Sequence, residues 1–332
     1  MKIITITDRE AGQRLDKMLG KYLNLAGKGF IYKMLRKKNI VLNGRKCDGS
    51  EKLCQGDEIK LFLSDETIEK FSQIKVQAVK KACLDIIYED EHILLINKPA
   101  GMLSQKAEKA DESLVEYVID YLLDTGFLTV EQLQTFRPSI CNRLDRNTSG
   151  IVVAGKSLSG LQIMAEVFKN RSIHKYYDCI VSGQLKDTKT IKGFLKKDER
   201  TNQVKIFETQ VSGSAPVVTQ YEPISYILPT KERQKGYTFL KVTLVTGRTH
   251  QIRAHLASIG HPLAGDKKYG DATVNEEVKR RFGIHYQMLH SFQLEFPTLP
   301  EPLSYLSGKS FTAPLPQEFC RVLASMKEKT LR

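Results

Sequence analysis

Asp145 stands between two arginines in the segment Arg143-Leu144-Asp145-Arg146-Asn147-Thr148-Ser149-Gly150. Cations beside a carboxylate keep it ionised in a dry pocket, as a catalytic carboxylate needs. The Asn-Thr-Ser-Gly stretch forms turns, and the apolar run Ile151 to Ala154 that follows predicts a buried strand. Asp145 is therefore expected on a loop pinned by the core, where rigid scaffold and exposed chemistry meet. The same residues also fit a structural Asp–Arg ion pair.

Two further segments carry polar groups of the right kind. In Lys175-Tyr176-Tyr177 strand alternation places Lys175 and Tyr177 on one face, a position that a packing tyrosine would fill equally well. In Thr246-Gly247-Arg248-Thr249-His250-Gln251-Ile252-Arg253 a strand ends and a polar helix begins, with Arg248, His250, Gln251 and Arg253 as candidate groups near the helix start. Two arginines beside such a turn suit an anion or carboxylate partner. His250 and His255 are separated by the wrong spacing and lack the glutamate of a His-Glu-x-x-His zinc site. No Cys-x-x-Cys pair, Gly-x-Gly-x-x-Gly fingerprint or phosphate-loop sequence is found, so neither a metal nor an organic cofactor is expected.

These residues need elements to position them. Ile252, Leu256 and Ile259 predict the buried stripe of the helix that carries Arg253, with Gly260 as its terminator. Leu161, Met164, Ala165 and Phe168 predict a helix after the Asp145 strand. Strand-like runs at 93–96, 151–154 and 239–245, separated by helical stretches of uneven length, read as an α+β fold rather than repeated βαβ units. Ahead of them, two short amphipathic helices (Leu15, Met18, Leu19; Ile31, Met34, Leu35) and a hairpin turning at Asn43-Gly44 predict a compact amino-terminal module. Its cations, Lys33, Arg36, Lys37 and Arg45, fall on a helix and the adjoining hairpin and suit a polyanion. Residues 64–83 are charged and weakly periodic, as a linker would be. The expected organisation is residues 1–75 as the module, 76–83 as linker and 84–328 as the catalytic domain.

Composition agrees with this plan. A chain of 332 residues exceeds the usual single-domain size, and a formal charge of +13 favours a nucleic-acid partner through counterion release. No apolar run is long enough to span a bilayer, and the stretch Met1 to Asp8 is too short for a signal peptide. Six scattered cysteines fit a reducing cytoplasm.

Taken in order, the segments resemble the RluA-like family of pseudouridine synthases: Tyr88-Glu89-Asp90 with Asn97-Lys98-Pro99-Ala100-Gly101, the Arg143 to Gly150 segment, Lys175-Tyr176-Tyr177, Gly247 to Arg253, His261 to Gly270, and Phe311 to Pro316. The module resembles the S4 RNA-binding domain. The resemblance implies a mixed, mainly antiparallel catalytic sheet, with Asp145 as the essential nucleophile or electrostatic carboxylate, Tyr177 against the target base and assisting proton removal, Arg253 paired with Asp145, and Arg143 filling the gap left by a flipped uridine. Leu144, Arg146, Lys175, Arg248, His250 and Gln251 are the expected substrate neighbours. Asn142 and Asn147 depart from the His and Asp of many relatives. Structured RNA is the implied partner, large-subunit ribosomal RNA ahead of transfer RNA, with no obligate protein partner and a monomeric enzyme. The competing readings are a non-catalytic RNA-binding or ribosome-assembly protein and a nucleosidase or glycosidase. The last of these generally needs a second carboxylate or a metal to activate water.

Overall fold

A computed structural model describes residues 1–74, 76–77, 79, 83–229 and 235–330, with residues 326–330 described by their backbone alone. The amino-terminal part comprises β1 (Lys2–Thr5), α1 (Leu15–Tyr22), α2 (Lys28–Arg36), β2 (Ile40–Leu42), β3 (Arg45–Lys46), β4 (Glu58–Leu61) and α3 (Asp65–Phe71). Its antiparallel sheet runs β1-β4-β2-β3. The turn between β2 and β3 forms where expected, with Asn43 and Gly44 both at positive φ (50° and 73°), the backbone of a two-residue hairpin that follows strand twist. Leu15, Met18, Leu19, Ile31, Leu35, Ile40 and Ile59 close a core of their own.

The segment expected to be a linker begins differently. Ser64 caps α3 by accepting the Thr67 N–H, and Ile68 and Phe71 pack onto the module core, Phe71 lying 4.5 Å from the Phe30 ring. The helix belongs to the module, because a serine cap and two apolar side chains outweigh the charge around them. Contacts with the next domain include Thr135 Oγ1 donating to Glu10 (2.8 Å) and the Arg9 guanidinium over the Phe127 ring (4.2 Å).

The larger part comprises β5 (Ile86–Glu89), β6 (Ile93–Lys98), α4 (Leu114–Asp124), β7 (Ser139–Ile140), β8 (Ser149–Gly155), α5 (Leu158–Lys169), β9 (His174–Ser182), β10 (Lys189–Asp198), β11 (Gln203–Phe207), β12 (Ala215–Ile227), β13 (Tyr237–Leu244), α6 (Gln251–Ser258), α7 (Ala272–Phe282), β14 (Leu289–Glu295), β15 (Ser310–Thr312) and α8 (Gln317–Thr330). One sheet runs β11-β10-β12-β13-β9-β14-β8-β6-β5, with β15 on β14 and β7 on β8. Among the described residues every pairing in it is antiparallel except β14 with β8, so the sheet is mixed and mainly antiparallel, as the family resemblance implied.

The central strands read as unbroken apolar runs because both faces are covered. Leu94 and Ile96 of β6, with Val152 and Ala154 of β8, turn toward α4. Ile93, Leu95, Ile151 and Val153 turn the other way, toward Met164 and Val167 of α5. Each fully buried aliphatic side chain here contributes roughly 1.5–3 kcal/mol. The buried stripe of α5 is Gly160, Met164 and Val167; Ala165, expected on it, is exposed.

Asp145 sits just before the single parallel junction, where Ser149 and Gly150 lie opposite His290 and Ser291. Gly150 has φ +109°, and a Cβ there would fall 2.2 Å from the Ser291 carbonyl oxygen. Only glycine lets the two backbones approach this closely. The last residue of the Asp145 motif is thus fixed by sheet packing rather than by chemistry.

Candidate active site

The Asp145 loop is held on both sides by the segment that follows β6. Ser104 Oγ donates to the Leu144 carbonyl (2.8 Å) and accepts from the Leu144 N–H (3.1 Å). Gly101 N–H donates to the Arg146 carbonyl (2.9 Å). Lys98 is fully buried and its ammonium reaches that same carbonyl (3.1 Å) and those of Pro99 and Met102 (2.9 Å each). Burial pulls Lys98 down to about 7 against the opposing charge of Asp145. Three carbonyl acceptors match three ammonium donors, which favours the charged form in this setting. At the start of the loop, Asn142 donates to the Ile151 carbonyl and accepts from Val153 N–H, stitching the chain to β8.

The partner of Asp145 is a distant arginine. Neither Arg143 nor Arg146 bonds to the carboxylate: both are exposed, and Arg146 Nε donates to the Gly101 carbonyl instead. Arg253 Nη1 donates to Asp145 Oδ2 at 2.8 Å. Its other edge is locked by Asp266, which accepts from Nε (2.7 Å) and Nη2 (2.9 Å) and is itself wholly buried. Burial disfavours the Arg253 charge, but hydrogen bonding to Asp266 and the charges of Asp266 and Asp145 more than compensate and raise its pKa. Arg253 likewise holds Asp266 below the usual carboxylate range despite burial. The fork geometry of guanidinium lets one side chain bind two carboxylates at fixed angles, which lysine does not do.

α6, expected to be a polar helix with one buried stripe, is buried from Gln251 through Leu256, polar residues included. Ile259, placed on the stripe by its spacing, caps the helix and is exposed, because the helix ends before its side chain turns inward. Gln251 is engaged within the protein: it accepts from Thr246 Oγ1 and Arg248 N–H and donates to the Val218 carbonyl and Thr219 Oγ1. His255 bonds Thr219 Oγ1 at 3.0 Å.

Around these groups opens a cleft of about 1060 Å³. Arg143, Leu144, Asp145, Arg146, Lys175, Tyr177, Arg248, His250, Gln251 and Arg253, drawn from three separate sequence segments, all line it. Nine Lys and Arg side chains line it, and among the described residues Asp145 is its one carboxylate. Lys175 and Tyr177 share the cleft-facing side of β9, and both are buried. Burial, helped by the Asp145 charge, pushes Tyr177 up to about 12, so it holds its proton at neutral pH. Lys33, Arg36, Lys37 and Arg45 lie elsewhere, exposed on α2, at its end and on β3, and none pairs with a carboxylate among the described residues.

Lys98, Asp266 and Tyr269 complete the site without having been singled out by sequence. All three fall inside quoted motifs (Asn97 to Gly101 and His261 to Gly270), but nothing local gives their roles. What each touches becomes visible only in three dimensions.

Comparison with known proteins decides the family. The model of the RNA pseudouridylate synthase family matches residues 92–258, the stretch that holds Asp145, Tyr177 and Arg253. The chain belongs to that family. It is 31% identical to the ribosomal large subunit pseudouridine synthase C of Pasteurella multocida across 99% of this chain and 95% of that protein. It is also 31% identical to the Escherichia coli K12 protein of the same name, across 89% and 88%. The fold is shared with human RNA pseudouridylate synthase domain containing 4 (TM-score 0.57, 19% identity, 73% of this chain and 92% of that one). A second human structure, RNA pseudouridylate synthase domain containing 1, gives a TM-score of 0.51 at 22% identity. The protein is therefore an isomerase that acts on RNA. Among its described residues no helix is long and apolar enough to cross a membrane.

Proposed function

We propose that this synthase converts specific uridines of large-subunit ribosomal RNA to pseudouridine in the cytoplasm, with Asp145 as the catalytic carboxylate. The observation that carries the reading is a carboxylate gripped by Arg253 in a cleft where, among the described residues, every other formally charged side chain is a Lys or Arg. The substrate class rests on similarity over nearly the whole chain to relatives named for the large subunit. Residues 1–75 act as an S4-like RNA-binding domain, 76–83 as linker and 84–328 as the catalytic domain. The enzyme works as a monomer, without an obligate protein partner or a cofactor.

The chemistry suits this inventory. The reaction breaks C1′–N1, turns the uracil, joins C1′ to C5 and moves the C5 proton, with no net redox change and no net hydrolysis. A positioned carboxylate, a shaped pocket and an acceptor for the C5 proton suffice. Tyr177, holding its proton, offers the base a flat face and a hydroxyl donor. Arg143, exposed at the cleft, fills the space of the extruded base, and unstacking at a cost of a few kcal/mol is offset by backbone contacts to Arg146, Lys175, Arg248 and the module cations. A glycosidase would generally need a second carboxylate or a metal to activate water.

The test is to incubate the full-length protein with ribosomal and transfer RNA transcripts free of modification and map pseudouridine at nucleotide resolution. Pseudouridine at defined large-subunit positions is the expected result. Modification of transfer RNA alone would reassign the substrate, and release of free uracil would contradict the isomerase chemistry.

A further inference from the structure

His250 occupies an unusual place. It precedes α6 with φ +54°, a left-handed backbone that branched and bulky residues resist and that Asn adopts more readily. Its side chain is nevertheless an imidazole, and both ring nitrogens face specific atoms. Nδ1 lies 2.9 Å from the Tyr269 hydroxyl, and Nε2 lies 3.7 Å from Asp145 Oδ2.

The tautomer follows from hydrogen-bond accounting. The Tyr269 oxygen accepts the Val204 backbone N–H of β11 at 2.9 Å, so the hydroxyl proton is free to go elsewhere, and His250 Nδ1 is the acceptor within reach. An Nδ1 that accepts leaves the neutral ring with its proton on Nε2. That proton faces Asp145. Burial, with the charges of Arg253 and Lys268, holds His250 below its ordinary range against the pull of Asp145 and Asp266, consistent with a neutral ring.

Arg253 and His250 both approach the same carboxylate oxygen, Oδ2, while Oδ1 has no protein donor among the described residues. Tyr269 braces both partners. Its ring stands edge-on to His250 (5.6 Å, 70°), the Arg253 guanidinium lies 5.2 Å from its centroid, and its N–H donates to Asp266.

We propose that His250, held as the Nε2–H tautomer by Tyr269, is a positioning residue for Asp145: with Arg253 it fixes Oδ2 and presents Oδ1 to the substrate. The inference rests on the reading of Asp145 as the catalytic carboxylate. At 3.7 Å the Nε2 contact is longer than a hydrogen bond, and it shortens when RNA fills the cleft, as catalytic contacts in free enzymes commonly do.

Two substitutions separate this role from a backbone or RNA-binding one. Gln places its amide nitrogen near the site of Nε2, whereas Asn reaches only to the level of Nδ1 but tolerates the left-handed backbone better. The experiment measures single-turnover pseudouridine formation, RNA affinity and thermal melting of the full-length protein on an unmodified large-subunit ribosomal RNA transcript. The variants are His250→Gln, His250→Asn, Tyr269→Phe and Asp145→Asn. His250→Asn should lose about 10- to 100-fold in single-turnover rate at unchanged affinity, the scale of a misplaced reacting group, while His250→Gln stays within about fivefold of wild type. Tyr269→Phe should lose about 3- to 10-fold through the freed tautomer, and adding it to His250→Asn should cost little more.

Equal rates for Asn and Gln, a better rate for Asn, or a loss confined to affinity would each overturn the proposal. A melting change that tracks the rate loss across the variants would also overturn it. If Asp145→Asn is inactive while His250→Asn turns over normally, the positioning role fails and the carboxylate reading stands. If Asp145→Asn turns over normally, the carboxylate reading itself fails.

Discussion

The amino-terminal module and the cleft of the larger domain are both rich in cations, and they use them in opposite ways. On the module, Lys33, Arg36, Lys37 and Arg45 are exposed and free of carboxylate partners among the described residues. Such charges act through their number and spread, and salt screens them. In the cleft, Arg253 is buried and bonded to two carboxylates at 2.7–2.9 Å, so its position matters more than its charge. The comparison teaches a division of labour: changes on the module should move affinity and its salt dependence, and changes around Arg253 should move turnover.

The sharpest way to break that division is Asp266→Asn. The amide keeps the volume but releases half of the Arg253 clamp, and breaking a buried ion pair costs about 3–5 kcal/mol. Turnover should fall about 100-fold or more as Arg253 loses its aim at Asp145, with RNA affinity nearly unchanged. Thermal melting and single-turnover kinetics check the two halves of the prediction. Next in size, replacing Lys33, Arg36, Lys37 and Arg45 together by Ala should weaken RNA binding, and the log–log salt slope should shrink by up to about 3. The bound-state rate should stay intact. A fall in the single-turnover rate at saturating RNA would mean that the module does more than hold the substrate.

The smallest effect concerns a carboxylate in the same domain that lacks such a clamp. Asp178 on β9 is buried and its carboxylate makes no hydrogen bond to a described residue; burial, opposed by Lys241, pushes it up to about 6. Its folded-state pKa lies above the unfolded one, so the native state binds the extra proton between about pH 4 and 6, and stability falls as pH rises through that window. Asp178→Asn should therefore gain about 1–2 kcal/mol near pH 7 and nothing below about pH 4. Denaturant melts across pH provide the check. A gain that persists at low pH would locate the effect in packing instead of charge.

Much of this plan was legible in the chain itself. Apolar runs gave β6 and β8, the Asn43-Gly44 pair gave the module hairpin, and turn residues placed Asp145 on a loop ahead of a buried strand. Local chemistry failed where partners are distant. Reading Arg143 and Arg146 as flanking cations said nothing of Arg253, and only the family resemblance pointed to that pair. α3 was hidden by charged neighbours although Ser64, Ile68 and Phe71 carried a cap and an apolar face. The roles of Lys98, Asp266 and Tyr269 depend on carbonyls, guanidinium and imidazole brought from other segments, which no local pattern encodes. Gly150, read from sequence as part of a turn, lies in β8 and answers to the backbone of Ser291.

The most direct measurement compares single-turnover pseudouridine formation by wild-type enzyme and Asp145→Asn at saturating unmodified large-subunit ribosomal RNA, with affinity measured in parallel. Removing the Asp145 charge while keeping its volume should reduce the rate by about 1000-fold or more and leave affinity within a few-fold, since the exposed cations proposed to bind RNA are untouched. Pseudouridine formed by Asp145→Asn at a rate near that of wild type would contradict the account.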